Sequence, residues 1–166
     1  MAILDTLKSS DLFKGLDDTR LKKVAQLCRS RSFQRGEVVF NEGEDATELF
    51  LLSEGRIVLE MDVSAPGQPP LPTGMEIVNG GEVFGWSSVV SPYVYKLSAR
   101  CMTLCNTLAI KGDMLRKMMT EDTILGYHVM TKLAEIIALR LTYTRLRLTS
   151  GVGIPLSGRE LESHKK

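Results

Sequence analysis

The order of apolar and polar positions divides the chain into three parts. Residues 1–30 read as helices: Leu21, Val24 and Cys28 share one face of a segment that Asp17 can cap. Before it, Ser10 or Asp11 offers a cap and Gly15 a terminator. From Arg31 the period shortens towards two. Val38-Val39-Phe40, Glu48 to Leu52, Ile57 to Met61, Glu76-Ile77-Val78, Leu97–Thr103 and Thr107–Ile110 are short strand-like runs, several set apart by glycine turns. Such runs predict an all-β unit over residues 31–110, closed or built of two sheets. Ser64 to Gly74, with four prolines, is expected to be a surface loop.

The helical period returns after Lys111-Gly112-Asp113, and residues 111–148 read as a hinge and a long helix. From Thr123 to Leu148 only Gly126 interrupts. Leu125, Val129, Ile136, Leu139, Tyr143 and Leu146 form one stripe; Met130, Leu133, Ile137, Leu141 and Leu148 form a second. One stripe can cover the β unit and the other needs a partner. A homodimer with its seam at Val129, Ile136, Leu139 and Tyr143 is expected, the alternative being a helix buried on both sides within one chain. Residues 149–166 are polar and contain Gly151, Gly153, Pro155 and Gly158; a flexible tail is expected there.

Charge and composition narrow the function. The net charge is +1, so no global field recruits nucleic acid or an acidic membrane surface. The basic residues of the first thirty positions read as a solvated helix face. Three cysteines without a Cys-x-x-Cys pair fit a reducing cytoplasm. No leader peptide is visible, and no run is apolar enough to span a bilayer. Two histidines, His128 and His164, make no metal set, and no nucleophile elbow or Cys-His pairing is present. Neither an enzyme nor a cofactor is expected.

One stretch competes for a ligand. Gly80-Gly81 leads into Phe84-Gly85-Trp86-Ser87-Ser88, which continues through Pro92, Tyr95 and Lys96 to Ser98-Ala99. A short helix starting at Ser87 or Ser88 would aim its amides, with those nearby, at an anion. The stretch resembles the phosphate-binding cassette of the cyclic nucleotide-binding domain family. Phe13-Lys14-Gly15-Leu16, Arg35-Gly36-Glu37, Glu42-Gly43-Glu44, Ser53-Glu54-Gly55 and Gly81 to Gly85 resemble that family's successive landmarks in order.

The resemblance implies an eight-stranded β-roll, N-terminal helices and a long C-terminal dimerisation helix. It also implies a non-enzymatic regulatory or sensor module that binds a nucleotide or another small anion at 84–99 and signals through the helix to a protein partner not yet identified. The implied ligand-binding residues are Gly85, Trp86, Ser87, Ser88, Tyr95, Lys96 and Ser98, with Thr144 as a base or helix contact. Two of these depart from the family. Trp86 stands where the family has a ribose-binding glutamate, and Tyr95 where it has a phosphate-binding arginine, so weak cyclic nucleotide binding is expected. Trp86 and Tyr95 either wall a pocket for a different ligand or fill an unused one. On a strand, Lys96 faces away from the pocket and shares its face with Arg100; a one-residue slip around Pro92 turns Lys96 in. Two further readings stand beside the sensor: the sensing part of a catabolite activator-like regulator, and a ligand-free interaction scaffold. DNA binding by this chain is not expected.

Overall fold

The computed structural model describes residues 2–64 and 66–150, the last four as backbone only. The expected tail lies, from residue 151, outside them. Two short helices open the chain, α1 (Ile3–Ser9) and α2 (Asp18–Leu27). Asp17 caps α2 as its sequence suggests, its carboxylate accepting from the Arg20 amide at 3.0 Å. The helical stretch ends earlier than residue 30, because Cys28 already opens β1 (Cys28–Phe33). The β1 side chains are mostly exposed, so no apolar alternation announces the strand; pairing with β8 along its whole length holds it.

The remaining strands are β2 (Val38–Phe40), β3 (Glu48–Glu54), β4 (Arg56–Val63), β5 (Leu71–Asn79), β6 (Val83–Phe84), β7 (Ser98–Cys101) and β8 (Cys105–Lys111). They form two four-stranded antiparallel sheets, ordered β1-β8-β3-β6 and β2-β7-β4-β5. This is the β-roll that the resemblance implied. The proline-rich loop is shorter than expected, since Leu71 to Gly74 pair with Val63 to Glu60. Pro72 is tolerated because β5 is an edge strand, where a missing N–H removes no inner ladder bond.

Strand β3 shows why its sequence is a continuous apolar run. Phe50 and Leu52 point between the sheets, into a cluster with Phe40, Ile57, Leu59, Phe84 and Cys105. Leu49 and Leu51 point the other way, into a cluster with Leu12, Phe13, Leu21, Leu115, Leu125, Val129 and Leu133. Both faces are buried, so alternation with polar residues is not required. Cys101 and Cys105 lie on consecutive strands and are buried as small apolar side chains.

Two helices follow the roll, α3 (Gly112–Glu121) and α4 (Thr123–Ser150). Asp122 caps α4 by accepting from the Leu125 amide at 3.1 Å. Leu125, Val129, Leu133 and Ile136 are the face of α4 that covers the roll.

Candidate functional site

The cassette begins where β6 ends. Gly85 has φ +73°, and a Cβ there would lie 3.1 Å from the Glu48 carbonyl and 3.3 Å from the rings of Phe40 and Phe50. Only glycine fits both the backbone and the space. A single 3-10 turn follows over Trp86–Ser88. Two of the amides that the sequence suggested for an anion are used within the turn itself. The Ser88 amide donates to the Gly85 carbonyl at 3.1 Å and the Val89 amide to the Trp86 carbonyl at 2.9 Å. The Ser88 hydroxyl is buried and also donates to Gly85 O. Ser88 therefore serves the turn rather than a pocket.

Tyr95 is packed inwards, 4% exposed. Its ring stacks on Phe40 with centroids 3.7 Å apart and planes 9° from parallel. Its hydroxyl donates to the Glu48 carbonyl at 2.8 Å and accepts from the Glu48 amide at 3.2 Å. Burial pushes the phenol above its ordinary value of 10.0. Lys96 corrects the strand argument: it lies in a bend before β7, where alternation does not apply, and it lines a small cavity beside Trp86 and Ser87. Arg100, on β7, pairs with Glu60 at 3.1 Å. Ser98 opens β7 and accepts the Glu42 amide at 2.8 Å.

Gly85, Trp86, Ser87, Tyr95 and Lys96 thus converge, over Phe40 and Leu59, on a cavity of about 80 Å³. Pockets that hold drug-sized ligands run from about 300 Å³. Aromatic rings occupy much of the remaining space between the sheets.

Two arginines absent from the sequence reading hold this cassette from outside. On α3, Arg116 Nη1 donates to the Ser88 carbonyl, and its guanidinium lies 4.2 Å from the Tyr93 ring centre. On α4, Arg140 reaches over the roll with a side chain only 12% exposed. Its Nε lies 2.8 Å from Glu76 on β5, Nη2 donates to the Val83 carbonyl at 2.7 Å, and the guanidinium sits 4.6 Å from the Trp86 ring centre. The helical period contained a sign of this: Arg140 falls four residues after Ile136 and seven after Leu133, on the face that covers the roll.

Thr144 lies elsewhere than the small cavity. Its hydroxyl donates to the Arg140 carbonyl at 3.0 Å, and it borders a separate groove of about 490 Å³ along α4. The expected seam divides. Val129 and Ile136 are buried inside the chain, at 0% and 9% exposure, and are not available to a partner. Leu139 and Tyr143 are exposed, and so is a further apolar row of Tyr127, Met130, Ile137 and Leu141. Among the described residues no group of three His, Cys, Asp or Glu side chains could hold a metal ion, and no helix is long and apolar enough to cross a membrane.

Comparison with known proteins bears on the same region. A solved protein from Geobacter metallireducens GS-15, described as cyclic nucleotide-binding, is 32% identical, with a TM-score of 0.72; the match covers 85% of this chain and 99% of that one. The CRP-like cAMP-activated global transcriptional regulator of Mycobacterium tuberculosis is 24% identical over 156 residues, 93% of this chain and 66% of the regulator. A potassium channel protein of Rhodopseudomonas palustris is 28% identical over 112 residues. The chain spans only 26% of that channel protein. The sequence profile of the cyclic nucleotide-binding domain matches residues 30–122, which hold the whole roll apart from its first two residues, the cassette and α3. With that profile, the Geobacter relative and the roll itself in agreement, the chain belongs to the cyclic nucleotide-binding domain family.

Proposed function

We propose that the chain is a non-enzymatic regulatory module in which the state of the 84–99 cassette is passed to the C-terminal helices. The observation that carries this reading is the double grip on one turn. Arg116 from α3 holds the Ser88 carbonyl, and Arg140 from α4 holds the Val83 carbonyl and the Trp86 ring. A ligand entering between Gly85 and Lys96 has to move this turn, and a moved turn changes partners for both helices. Gly85, Trp86, Ser87, Lys96 and Ser98 are the residues proposed to meet a small anionic ligand, with Ser88 and Tyr95 acting through the shape of the turn. The module acts in the cytoplasm, as a homodimer that passes its state to another protein, and it reads no DNA.

Cyclic nucleotides bind weakly in this reading. Trp86 offers no carboxylate to a ribose hydroxyl, and Tyr95 offers no guanidinium to a phosphate. Each lost charge-assisted bond is worth roughly 1.5–3 kcal/mol, and the cavity of about 80 Å³ must enlarge before a nucleotide can enter. Calorimetry with cyclic AMP and cyclic GMP tests this on the natural protein and on the double variant Trp86→Glu, Tyr95→Arg, with melting curves to confirm that the variant is folded. Weak or undetectable binding by the natural protein and tighter binding by the variant are expected. Micromolar binding by the natural protein would sink the reading.

The small volume of the cavity, about 80 Å³, also favours a second reading, in which the roll is a scaffold without a ligand and α4 alone binds a partner. A melting temperature unmoved by any nucleotide or small anion would select it. The match to 66% of the mycobacterial regulator supports a third, the sensing part of a longer regulator.

A further inference from the structure

The groove of about 490 Å³ along α4 runs past the connection between α1 and α2 and past the corner joining β5 to β6. It differs from the cassette cavity in lining and in chemistry. Two polar atoms of opposite kind, on residues that line it, are buried without a hydrogen-bond partner: Asp11 Oδ1, an acceptor, and Arg140 Nη1, a donor. Buried polar atoms without partners are uncommon, because each forfeits the bond it would make to water. Two on residues that line one groove, with Arg140 near enough to act on the Asp11 carboxyl, describe a place for something that donates at one end and accepts at the other.

The charges around the groove give the sign of each end. Arg140 is already paired with Glu76 at 2.8 Å and Lys132 with Glu135 at 2.7 Å. Setting these pairs aside leaves two carboxylates, Asp11 and Glu82, against one ammonium, Lys14. The Asp11 end therefore favours a cationic donor. The Arg140 end offers the guanidinium Nη1, with its N–H donors, to an anionic acceptor. Between and beyond them lie Ile136, Leu139 and Tyr143, an apolar wall.

We propose that this groove binds a free α-amino acid with an apolar side chain. Asp11 and Arg140 turn into the groove to meet it: its ammonium donates to Asp11 Oδ1, its carboxylate accepts from Arg140 Nη1, and its side chain lies along Ile136 and Leu139. Ammonium and carboxylate separated by one carbon satisfy two nearby buried atoms with one small molecule. The same Arg140 holds Trp86, so a bound amino acid adds to the contacts that fix the cassette turn against α4. The site does not require a nucleotide to enter the cassette. It also leaves the row of Met130, Ile137 and Leu141 uncovered.

The test is a melting-temperature screen of the full chain with each of the twenty free L-amino acids at about 10 mM, followed by calorimetry on those that raise it. Leucine-like and aromatic amino acids are expected to raise the melting temperature by roughly 2 °C or more. Their amides, which lack the carboxylate, and their N-acetyl derivatives, which lack the ammonium, should do nothing. Asp11→Asn should weaken the binding about tenfold or more. If no free amino acid shifts the melt, the proposal is wrong. It is equally overturned if the blocked derivatives shift it as much as the free ones, or if a crystal grown with the amino acid shows only water between Asp11 and Arg140. The blocked compounds keep the test decisive should Asp11→Asn fold poorly. Silence of cyclic nucleotides in the same screen bears on the cassette and leaves this site untouched.

Discussion

At the scale of single residues, Tyr95 shows how a side chain in the cassette-like stretch becomes part of the framework. Its hydroxyl takes up both the carbonyl and the amide of Glu48, and its ring closes on Phe40. Tyr95→Phe should keep the stack and lose both bonds. That should destabilise the fold by about 1–3 kcal/mol, because the two peptide groups stay in a part-buried place; chemical unfolding would measure it. Asp11 makes a different prediction. Burial raises its carboxyl from the ordinary 3.8 to about 6, while Arg140 pulls it down, Glu82 pushes it up, and the Val83 amide and Lys14 lower it. A raised value means that the folded protein holds this proton more tightly than the unfolded chain does. The stabilisation is complete below 3.8 and is lost as the pH rises to about 6. Asp11→Asn removes this slope. The melting temperature of the variant relative to the natural protein should therefore rise between pH 4 and pH 7, and a constant difference would contradict the assignment. Neither environment could be read from a sequence window, since Glu48 lies 47 residues from Tyr95 and Arg140 comes from another element.

At the scale of elements, the contact between the cassette and α3 depends on one glycine. A Cβ at Gly112 would lie 2.4 Å from the Ser88 carbonyl, and the Gly112 amide donates to Thr47 O at 2.9 Å. Gly112→Ala must push the turn away from α3. A loss of about 1–3 kcal/mol is expected from the overpacking, together with a weaker Arg116 contact to Ser88. Unfolding curves give the first, and the fluorescence of Trp86, the sole tryptophan, reports the movement of the turn. The sequence pattern located β3, β4 and the long helix because each buries a strongly apolar face or two. It missed β1, whose side chains are mostly exposed, and the first half of β5, whose proline looked like a loop. In both cases pairing with a neighbouring strand decides the conformation.

At the scale of the whole molecule, α4 leaves Met130, Ile137 and Leu141 on its outer side, spaced seven and four apart. Such a row suits a second copy of the same helix, and it is the seam we propose in place of one that included the buried Val129 and Ile136. Ile137→Glu with Leu141→Glu should give a folded monomer by sedimentation, with a melting temperature close to that of a dilute natural sample; a monomeric natural protein would remove the dimer. From the sequence by itself came an all-β unit between helical segments, read from the change of period near residues 31 and 111. The eight-stranded roll followed from the resemblance of the landmarks Phe13 to Gly85 to a known family. The sequence also determined that Trp86 and Tyr95 bring neither carboxylate nor guanidinium to the cassette. What the tertiary structure decided is where those two side chains go, that the Ser88 and Val89 amides are used within the turn, and that Arg116 and Arg140 arrive from other elements to hold it. These are contacts between residues distant in sequence, which periodicity does not encode: a period shows which face of α4 is buried, but only the packed roll shows that the arginine on that face ends beside Trp86, Glu76 and Asp11.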